Sequence, residues 1–407
     1  MVSFSDVYSA YIDCQRRKAN KVSAKLFETN LIHNLASLVR EMNSKTYRLS
    51  SANCFIVTYP SKREVFASNF RDRVLHHYWY ERVNPIIEHH LIYDCSSCRT
   101  GKGTDFAIHR VERFIRQITE NYQRNYGVWV LKTDYSGFFM SIIREKLYEE
   151  LTEVIYAEYS GDDIDDVVYL TERFIVDDVT VGCTYKSPKS MWRDLPPNKT
   201  LFNDKGRGEP IGNLPSQATA NFYMNLIDRI HRREKYKGKV YYSRYVDDIV
   251  VLSRDRNLLV DLLEDMKRES AERGLTINMK KTSIRNLEHG IRYLGKEIHP
   301  HYTVIQKRTI HKMYSDSQFY HDTPDLLSMV NSRLGQLSNY NGYRLAMKWF
   351  KFISPKLKSI ALVQPRDKTP RAVNVRARYK KRKKTFSYYK KKVNKAGNDI
   401  LISMMLG

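Results

Sequence analysis

The chain has 407 residues, and its 69 lysines and arginines outnumber 45 acidic residues, which gives a formal net charge of +24 at pH 7. That surplus predicts a polyanionic partner such as nucleic acid, and no apolar run approaches the roughly 20 residues of a membrane span. Five unevenly spread cysteines do not suggest a disulfide framework, and the N-terminus lacks a signal-peptide core. We therefore expect a cytoplasmic protein of two or three subdomains, without a membrane partner.

The N-terminal third predicts helices around one β-hairpin. The hairpin is predicted over 53–67, where two short apolar runs enclose a basic turn that carries Lys62 and Arg63. Apolar residues recur at helical spacing on both sides of it. The predicted helices of this part lie in residues 1–50, 73–88 and 106–122.

Three aspartates mark a predicted metal site in the middle of the chain. Asp134 lies just past a short apolar run typical of a buried strand, and Asp247 and Asp248 lie between two such runs, at a predicted hairpin turn. Neighbouring strands lie about 4.8 Å apart, so Asp134 and Asp247 can meet, and uncompensated acids there are costly without a cation. Oxygen-only ligands favour Mg²⁺. Two such ions, about 3.5–4 Å apart, can clamp the attacking and leaving oxygens of a phosphoryl transfer, as in polymerases.

The C-terminal half predicts more helices and a basic tail. Helices are predicted over 221–233, over 258–273, where Gly274 ends the helix, and through most of 307–362. Residues 366–395 contain 14 lysines and arginines and one acid, with aromatic residues between them, a composition that suits phosphate contacts and base stacking. A disordered, solvated tail is the alternative. The tail residues assigned to nucleic-acid binding are Lys380, Lys381, Arg382, Lys383 and Lys384.

Four motifs, in the family order, resemble those of reverse transcriptases. They are LKTDYSGFF at 131–139, YVDD at 245–248, GLTINMKKT at 274–282 and RYLG at 292–295. The resemblance implies an α+β fold of the right-hand polymerase type, with fingers, a palm with an antiparallel sheet, and a helical thumb. It also implies an RNA-directed DNA polymerase, a nucleotidyltransferase that uses two Mg²⁺ ions.

The resemblance also implies a domain organisation. The expected segments are N-terminal helices and fingers over 1–125, the palm over 126–160 and 211–304, a connecting insertion over 161–210, the thumb over 305–365 and the basic tail over 366–407.

A narrower resemblance indicates the reverse transcriptases of diversity-generating retroelements, within the group II intron-like superfamily. The segment GEPIGNLPSQ at 208–217 is similar to their motif, whereas group II intron relatives carry Gln-Gly where this chain has Ile211 and Gly212. The segments FRDRVLHH at 70–77, CRTGKGT at 98–104 and HPHY at 299–302 also look like this family.

The resemblance assigns the chemical step to a small set of residues. Asp134 and Asp247 match the metal-binding aspartates, Asp248 matches the second acid of the hairpin, and the backbone carbonyl of Tyr135 is a further candidate ligand. Lys281 resembles the lysine that protonates the leaving pyrophosphate. In this scheme the primer 3′-hydroxyl attacks the α-phosphate of the incoming nucleotide.

Nucleotide binding is assigned to residues of the fingers and of the palm. Lys62 and Arg63 match the hairpin that grips the triphosphate, and Arg71 is a further candidate, with a solvated surface as the alternative for each cation. Phe139 matches the aromatic residue under the sugar, where its ring would crowd a 2′-hydroxyl. An ordinary core position is the alternative for Phe139.

Ile211 and Gln217 are assigned to the nucleotide or template pocket. The aliphatic side chain of Ile211 cannot hydrogen-bond where a glutamine can, which should weaken discrimination against wrong pairs. The resemblance implies error-prone copying, chiefly opposite template adenine. Arg99 and Lys102, in the segment 98–104, are assigned to nucleic-acid binding.

The implied partners are template RNA, a primer or cDNA strand, deoxynucleotides and a small basic accessory variability protein. The family is bacterial or phage-encoded, and it copies a template repeat into mutagenised cDNA that diversifies a target gene. The alternatives are a group II intron-type maturase, a retron or abortive-infection reverse transcriptase, and an inactive RNA-binding scaffold.

Overall fold

The computed structural model describes residues 1–16, 18, 21–58, 61–124, 126–319, 324–337, 340, 342–357, 361–365 and 375–379. The chain divides into two units, Met1–Asn286 and Leu287–Gly407. None of the helices in the described ranges is both long enough and apolar enough to cross a bilayer.

The first unit contains most of the helices and the larger sheet. Its helices are α1 Phe4–Gln15, α2 Val22–Glu28, α3 Leu31–Asn43, α4 Phe70–His90, α5 Thr104–Ile118, α6 Phe138–Ser141, α7 Arg144–Glu158, α8 Ile164–Ile175, α9 Leu214–Asp228 and α10 Arg256–Glu272. Its strands are β1 Asn53–Val57, β2 Arg63–Ala67, β3 Trp129–Thr133, β4 Thr184–Tyr185, β5 Tyr241–Tyr245, β6 Asp248–Ser253 and β7 Ser283–Asn286.

The predicted N-terminal helices and the predicted hairpin are confirmed. α1 begins at a capping box, in which the side chains of Ser3 and Asp6 each accept a hydrogen bond from the other residue's backbone N–H. β1 and β2 pair antiparallel, with Cys54 opposite Phe66. The short strand β4 extends this sheet by pairing in parallel with β1.

The central sheet has the strand order β5-β6-β3-β7, and every neighbouring pair is antiparallel. Residues 249–253 of β6 are buried, and Ile249 and Val251 belong to the same core as apolar side chains from α9 and α10. The α+β fold with an antiparallel central sheet is therefore confirmed.

The helices predicted over 221–233 and 258–273 are both present in the structure. The helix predicted over 221–233 begins earlier, at Leu214, because Pro215 lies in its first turn, where the missing N–H costs no helical hydrogen bond. A short 3₁₀ helix, Arg229–Arg232, follows it. The predicted end of α10 is confirmed, since Gly274 follows the helix with φ +68°, a left-handed conformation that suits glycine.

In its described residues the second unit has two small sheets and three α-helices. Its elements are β8 Ile291–Tyr293, β9 Lys296–Ile298, β10 Thr303–Ile305, α11 Lys307–Phe319, α12 Pro324–Leu337, α13 Tyr343–Leu357, β11 Ala361–Pro365 and β12 Val375–Tyr379. Residues 361 and 362 are in β11, so the predicted helical run extended too far. The tail residues 380–384, assigned to nucleic-acid binding, lie outside the described residues. The domain boundaries of the predicted right hand stay a prediction.

Candidate active site

The three aspartates lie at one end of the central sheet. Thr133 pairs with Ile249 across β3 and β6. Asp134 follows Thr133 and Asp248 precedes Ile249, so these two aspartates lie side by side at the same end of the strand pair. Tyr245 pairs with Asp248 across β5 and β6, which leaves a two-residue turn that contains Asp247. The predicted hairpin with acids at its turn is confirmed.

Burial and neighbouring negative charge disfavour the charged forms of two of the site's carboxylates. The pKa of Asp247 is raised to about 6, first by burial and then by the negative charge of Asp134. Burial also raises the pKa of Asp248 to about 6, with smaller contributions from Asp247 and Asp134 and an opposing one from Lys132. The negative charges of these carboxylates repel one another. A further cation would therefore stabilise their charged forms.

Two lysines pair with the outer carboxylates. Lys281 Nζ donates to Asp134 Oδ1 and Oδ2 at 3.0 and 2.9 Å. Lys132 Nζ lies 3.3 Å from Asp248 Oδ1. The backbone supports the first pair, since Asn278 N–H donates to the carbonyl oxygen of Asp134 at 2.8 Å. Lys132 was not among the predicted site residues, although a lysine within an apolar strand was a signal for it.

The donor set fits magnesium by its chemistry. Its ligands are carboxylate oxygens, which Mg²⁺ prefers. Burial raises the pKa values of Asp247 and Asp248 first and neighbouring carboxylates add to this, so a divalent ion would stabilise the charged forms. In the described residues, no three His, Cys, Asp or Glu side chains converge closely enough to hold one ion. Asp134 is instead paired with Lys281, so metal binding requires an exchange of partners at that carboxylate.

Tyr135 has a backbone position consistent with its predicted role. It forms an antiparallel bridge with Ile277, and the hydrogen bonds of this bridge are made by its neighbours, with Ser136 N–H donating to Thr276 O and Asn278 N–H donating to Asp134 O. The Tyr135 carbonyl therefore points away from this pairing. Its role as a metal ligand stays a prediction.

The segment 208–212 joins the predicted sugar pocket to the hairpin. Glu209 N–H donates to the carbonyl oxygen of Phe139 at 2.8 Å, and Phe66 N–H donates to the carbonyl oxygen of Ile211 at 3.2 Å. Gly212 has φ +118°, and a Cβ there would lie 3.1 Å from Val65 Cγ1. A side chain would therefore be strained at this position and would press on β2. Phe139, Ile211 and β2 are thus brought together.

The predicted phosphate-binding cations have different surroundings. Lys62 Nζ lies 3.7 Å from Asp194 Oδ2. Arg63 is exposed at the start of β2, and its positive charge helps to lower the pKa of Asp247, opposing burial. Arg71 contacts Glu41 and donates to the carbonyl oxygen of Arg48 at 3.3 Å. Of these cations, Arg63 interacts electrostatically with the carboxylate of Asp247, whereas Arg71 is bound to Glu41 and to the backbone of Arg48.

Arg99 and Lys102 both donate to the backbone of one loop. Arg99 Nη1 donates to the carbonyl oxygens of Ile92 and Cys95 at 2.8 and 2.9 Å, and Lys102 Nζ donates to that of Tyr93 at 2.5 Å. Gln217 is half-buried in the first turn of α9. The assigned roles of these residues in binding RNA, DNA or nucleotide stay predictions.

Solved structures similar to this chain include telomerases of two Candida species. Three of the similar structures are telomerases: apo telomerase from Candida tropicalis truncated from the C-terminal domain (11% identity, TM-score 0.46, 63% of this chain and 55% of that one), the Candida albicans enzyme in complex with a TWJ fragment of telomeric RNA (12%, 0.48, 77% and 58%), and apo telomerase from Candida tropicalis (10%, 0.49, 76% and 58%). This chain therefore spans a little over half the length of each of them.

The family comparison covers the carboxylates and the sheet that carries them. Residues 60–298, more than half of the chain, match the family described as "Reverse transcriptase (RNA-dependent DNA polymerase)". The match includes Asp134, Asp247, Asp248 and Lys281. The chain belongs to the reverse transcriptase family.

Proposed function

We propose that this chain is an RNA-directed DNA polymerase that extends a primer on an RNA template with deoxynucleotides. The observation that carries the proposal is the position of Asp134 beside Asp247 and Asp248, at the ends of paired strands, in a chain of the reverse transcriptase family. A scaffold that only binds RNA has no need of neighbouring carboxylates whose charged forms are disfavoured by burial and by one another.

The side chains divide the work of nucleotide addition. Asp134, Asp247 and Asp248, with the Tyr135 carbonyl as a further ligand, would hold two Mg²⁺ ions once Asp134 is released from Lys281. Such ions would supply charge stabilisation for the attacking and leaving oxygens. Lys281 carries a proton on Nζ that it donates to the leaving pyrophosphate. Arg63 and Lys62 bind the triphosphate.

We further propose that the enzyme is error-prone, as in diversity-generating retroelements. Support comes from Ile211, an aliphatic residue in a segment that is hydrogen-bonded to both Phe139 and β2 through its backbone. Without a side-chain amide there, a mismatched pair leaves no polar group of the pocket unpaired and meets less resistance. A small basic accessory protein and a bacterial or phage cytoplasmic setting belong to this proposal. An intron-type, retron or abortive-infection enzyme is the alternative.

The experiment is cDNA sequencing. The purified chain, with any co-encoded accessory protein, copies an RNA template with Mg²⁺ and all four deoxynucleotides. Errors concentrated opposite template adenine support the diversifying function. Faithful cDNA leaves a reverse transcriptase and favours the alternative, and the absence of cDNA contradicts the polymerase proposal.

A further inference from the structure

The turn between β5 and β6 contains a strained valine. Val246 has φ +58°, in the left-handed region that a β-branched residue adopts only when its surroundings impose it. The next residue is Asp247, so the conformation of Val246 sets the direction in which that carboxylate points. Other residues must therefore stabilise the left-handed conformation of Val246.

Two side chains bind both backbone polar groups of Val246. The N–H of Val246 donates to Ser97 Oγ at 3.0 Å, and Arg244 Nη1 donates to the Val246 carbonyl oxygen at 2.9 Å. Ser97 Oγ in turn donates to Asn221 Oδ1 at 3.1 Å, so the serine hydroxyl presents a lone pair to Val246. We name Ser97 and Arg244 the Val246 clamp.

The arginine of the clamp is itself rigidly held. Arg244 is completely buried, as is Asp228, and Arg244 Nε lies 2.8 Å from both carboxylate oxygens of Asp228. Arg244 Nη1 also donates to Asn221 Oδ1 at 3.1 Å. A buried charge pair that also satisfies its neighbours' hydrogen bonds has little freedom to move.

The serine is fixed from the other side of the turn. The segment that carries it runs beside β5, where Arg244 N–H donates to Asp94 O and Ser96 N–H donates to Arg244 O, both at 3.0 Å. Ser97 is therefore placed by backbone pairing with the same strand that carries Arg244. Both residues of the Val246 clamp are therefore positioned by β5.

We propose that Ser97 and Arg244 are positioning residues that hold Val246 in its left-handed conformation and thereby aim Asp247 at the metal site. The effect on polymerisation rests on the proposed function, whereas the effect on metal binding does not. Mn²⁺ alone, followed by electron paramagnetic resonance, is the probe of metal binding.

The first comparison is Ser97→Ala against Ser96→Ala. Ser96 is a buried serine in the same segment, and within the described residues its hydroxyl has no hydrogen-bond partner. We expect S97A to weaken Mn²⁺ binding and lower kcat by about fivefold to tenfold, with little change in KM for deoxynucleotide, and S96A to leave both unchanged. Equal effects of the two variants would overturn the proposal.

The second comparison tests whether Ser97 affects Mn²⁺ binding by holding Val246 in its strained conformation. Glycine adopts positive φ without strain, so in the V246G background the further change S97A should cost less than about twofold in Mn²⁺ binding. A purely structural role of Ser97 predicts the same loss in both backgrounds, which would contradict the clamp.

A third pair covers the case in which S97A does not fold. Ser97→Thr and Ser97→Val add the same bulk and differ in the hydroxyl, so S97T should bind Mn²⁺ more tightly than S97V. Equal binding by these two overturns the clamp. If the wild-type chain makes no cDNA, the proposed function fails, and Mn²⁺ binding by the same variants still decides the clamp.

Discussion

The backbone N–H of Phe66 in β2 donates a hydrogen bond to the carbonyl oxygen of Ile211 at 3.2 Å. This bond joins the hairpin to the segment 208–212 through main-chain atoms alone. A change of side chain at Ile211 therefore alters the chemistry of the pocket without removing what positions its backbone. The role of the Ile211 side chain can therefore be tested by substitution, because the backbone stays in position.

Ile211→Gln should make copying more accurate. The amide restores a hydrogen-bonding group that a mismatched pair leaves unpaired, so we expect errors opposite template adenine to fall by about fivefold or more. Sequencing of cDNA measures this, with Ile211→Leu as a control that keeps an aliphatic side chain. An unchanged error rate in I211Q would remove Ile211 from the account of fidelity.

Phe139→Ala should admit ribonucleotides. The carbonyl oxygen of Phe139 accepts a hydrogen bond from Glu209 N–H at 2.8 Å, so its backbone stays held when the ring is lost. We expect the preference for deoxynucleotides to fall by about 10- to 100-fold, as measured from kcat/KM for both nucleotides. Phe139→Tyr, which keeps the ring, should retain the preference. If F139A still excludes ribonucleotides, the ring is only a core contact.

Lys281→Ala should have opposite effects on metal binding and on rate. Its removal frees Asp134 from an ion pair of 2.9 Å, so half-saturation by Mg²⁺ should need less metal. Loss of the proton donor should lower the maximal rate by about 100-fold. Titration of primer extension with Mg²⁺ measures both. Lys280→Ala, at the exposed neighbouring position, is the control. A rate equal to wild type would exclude proton donation by Lys281.

Glu209 makes stability depend on pH. Burial raises the pKa of Glu209 to about 8, although Ser216 and Arg144 lower it. The folded chain therefore binds this proton more tightly than the unfolded chain. The stabilisation is complete at pH values below the ordinary glutamate pKa and is lost as pH rises through about 8.

Glu209→Gln tests this dependence, because the amide resembles the neutral carboxyl and does not titrate. We expect E209Q to melt at the same temperature as wild type near pH 5 and several degrees higher near pH 9. Other titrating groups are common to both chains and cancel. Melting curves that stay parallel over this range would show that Glu209 is not the group responsible.

The local parts of the site and the meeting of Asp134 with Asp247 were predictable from the sequence, whereas other long-range contacts were not. Apolar strands that flank Asp247 and Asp248 are a short-range signal, and the hairpin followed from it. The contact between Ser97 and Val246 joins residues 149 positions apart, and no spacing rule reports such a pair. Likewise, a basic residue in a motif does not reveal whether it is solvated or engaged by its own chain, as Arg99 is with Ile92 and Cys95.

The central claim is tested most directly by primer extension on an RNA template with Mg²⁺ and deoxynucleotides, comparing wild type with Asp247→Asn. Asp261→Asn, a change at a half-exposed aspartate of α10, is the matched control. The account predicts cDNA from wild type and D261N, none from D247N, and equal binding of RNA by all three. Synthesis by D247N at the wild-type rate would contradict it.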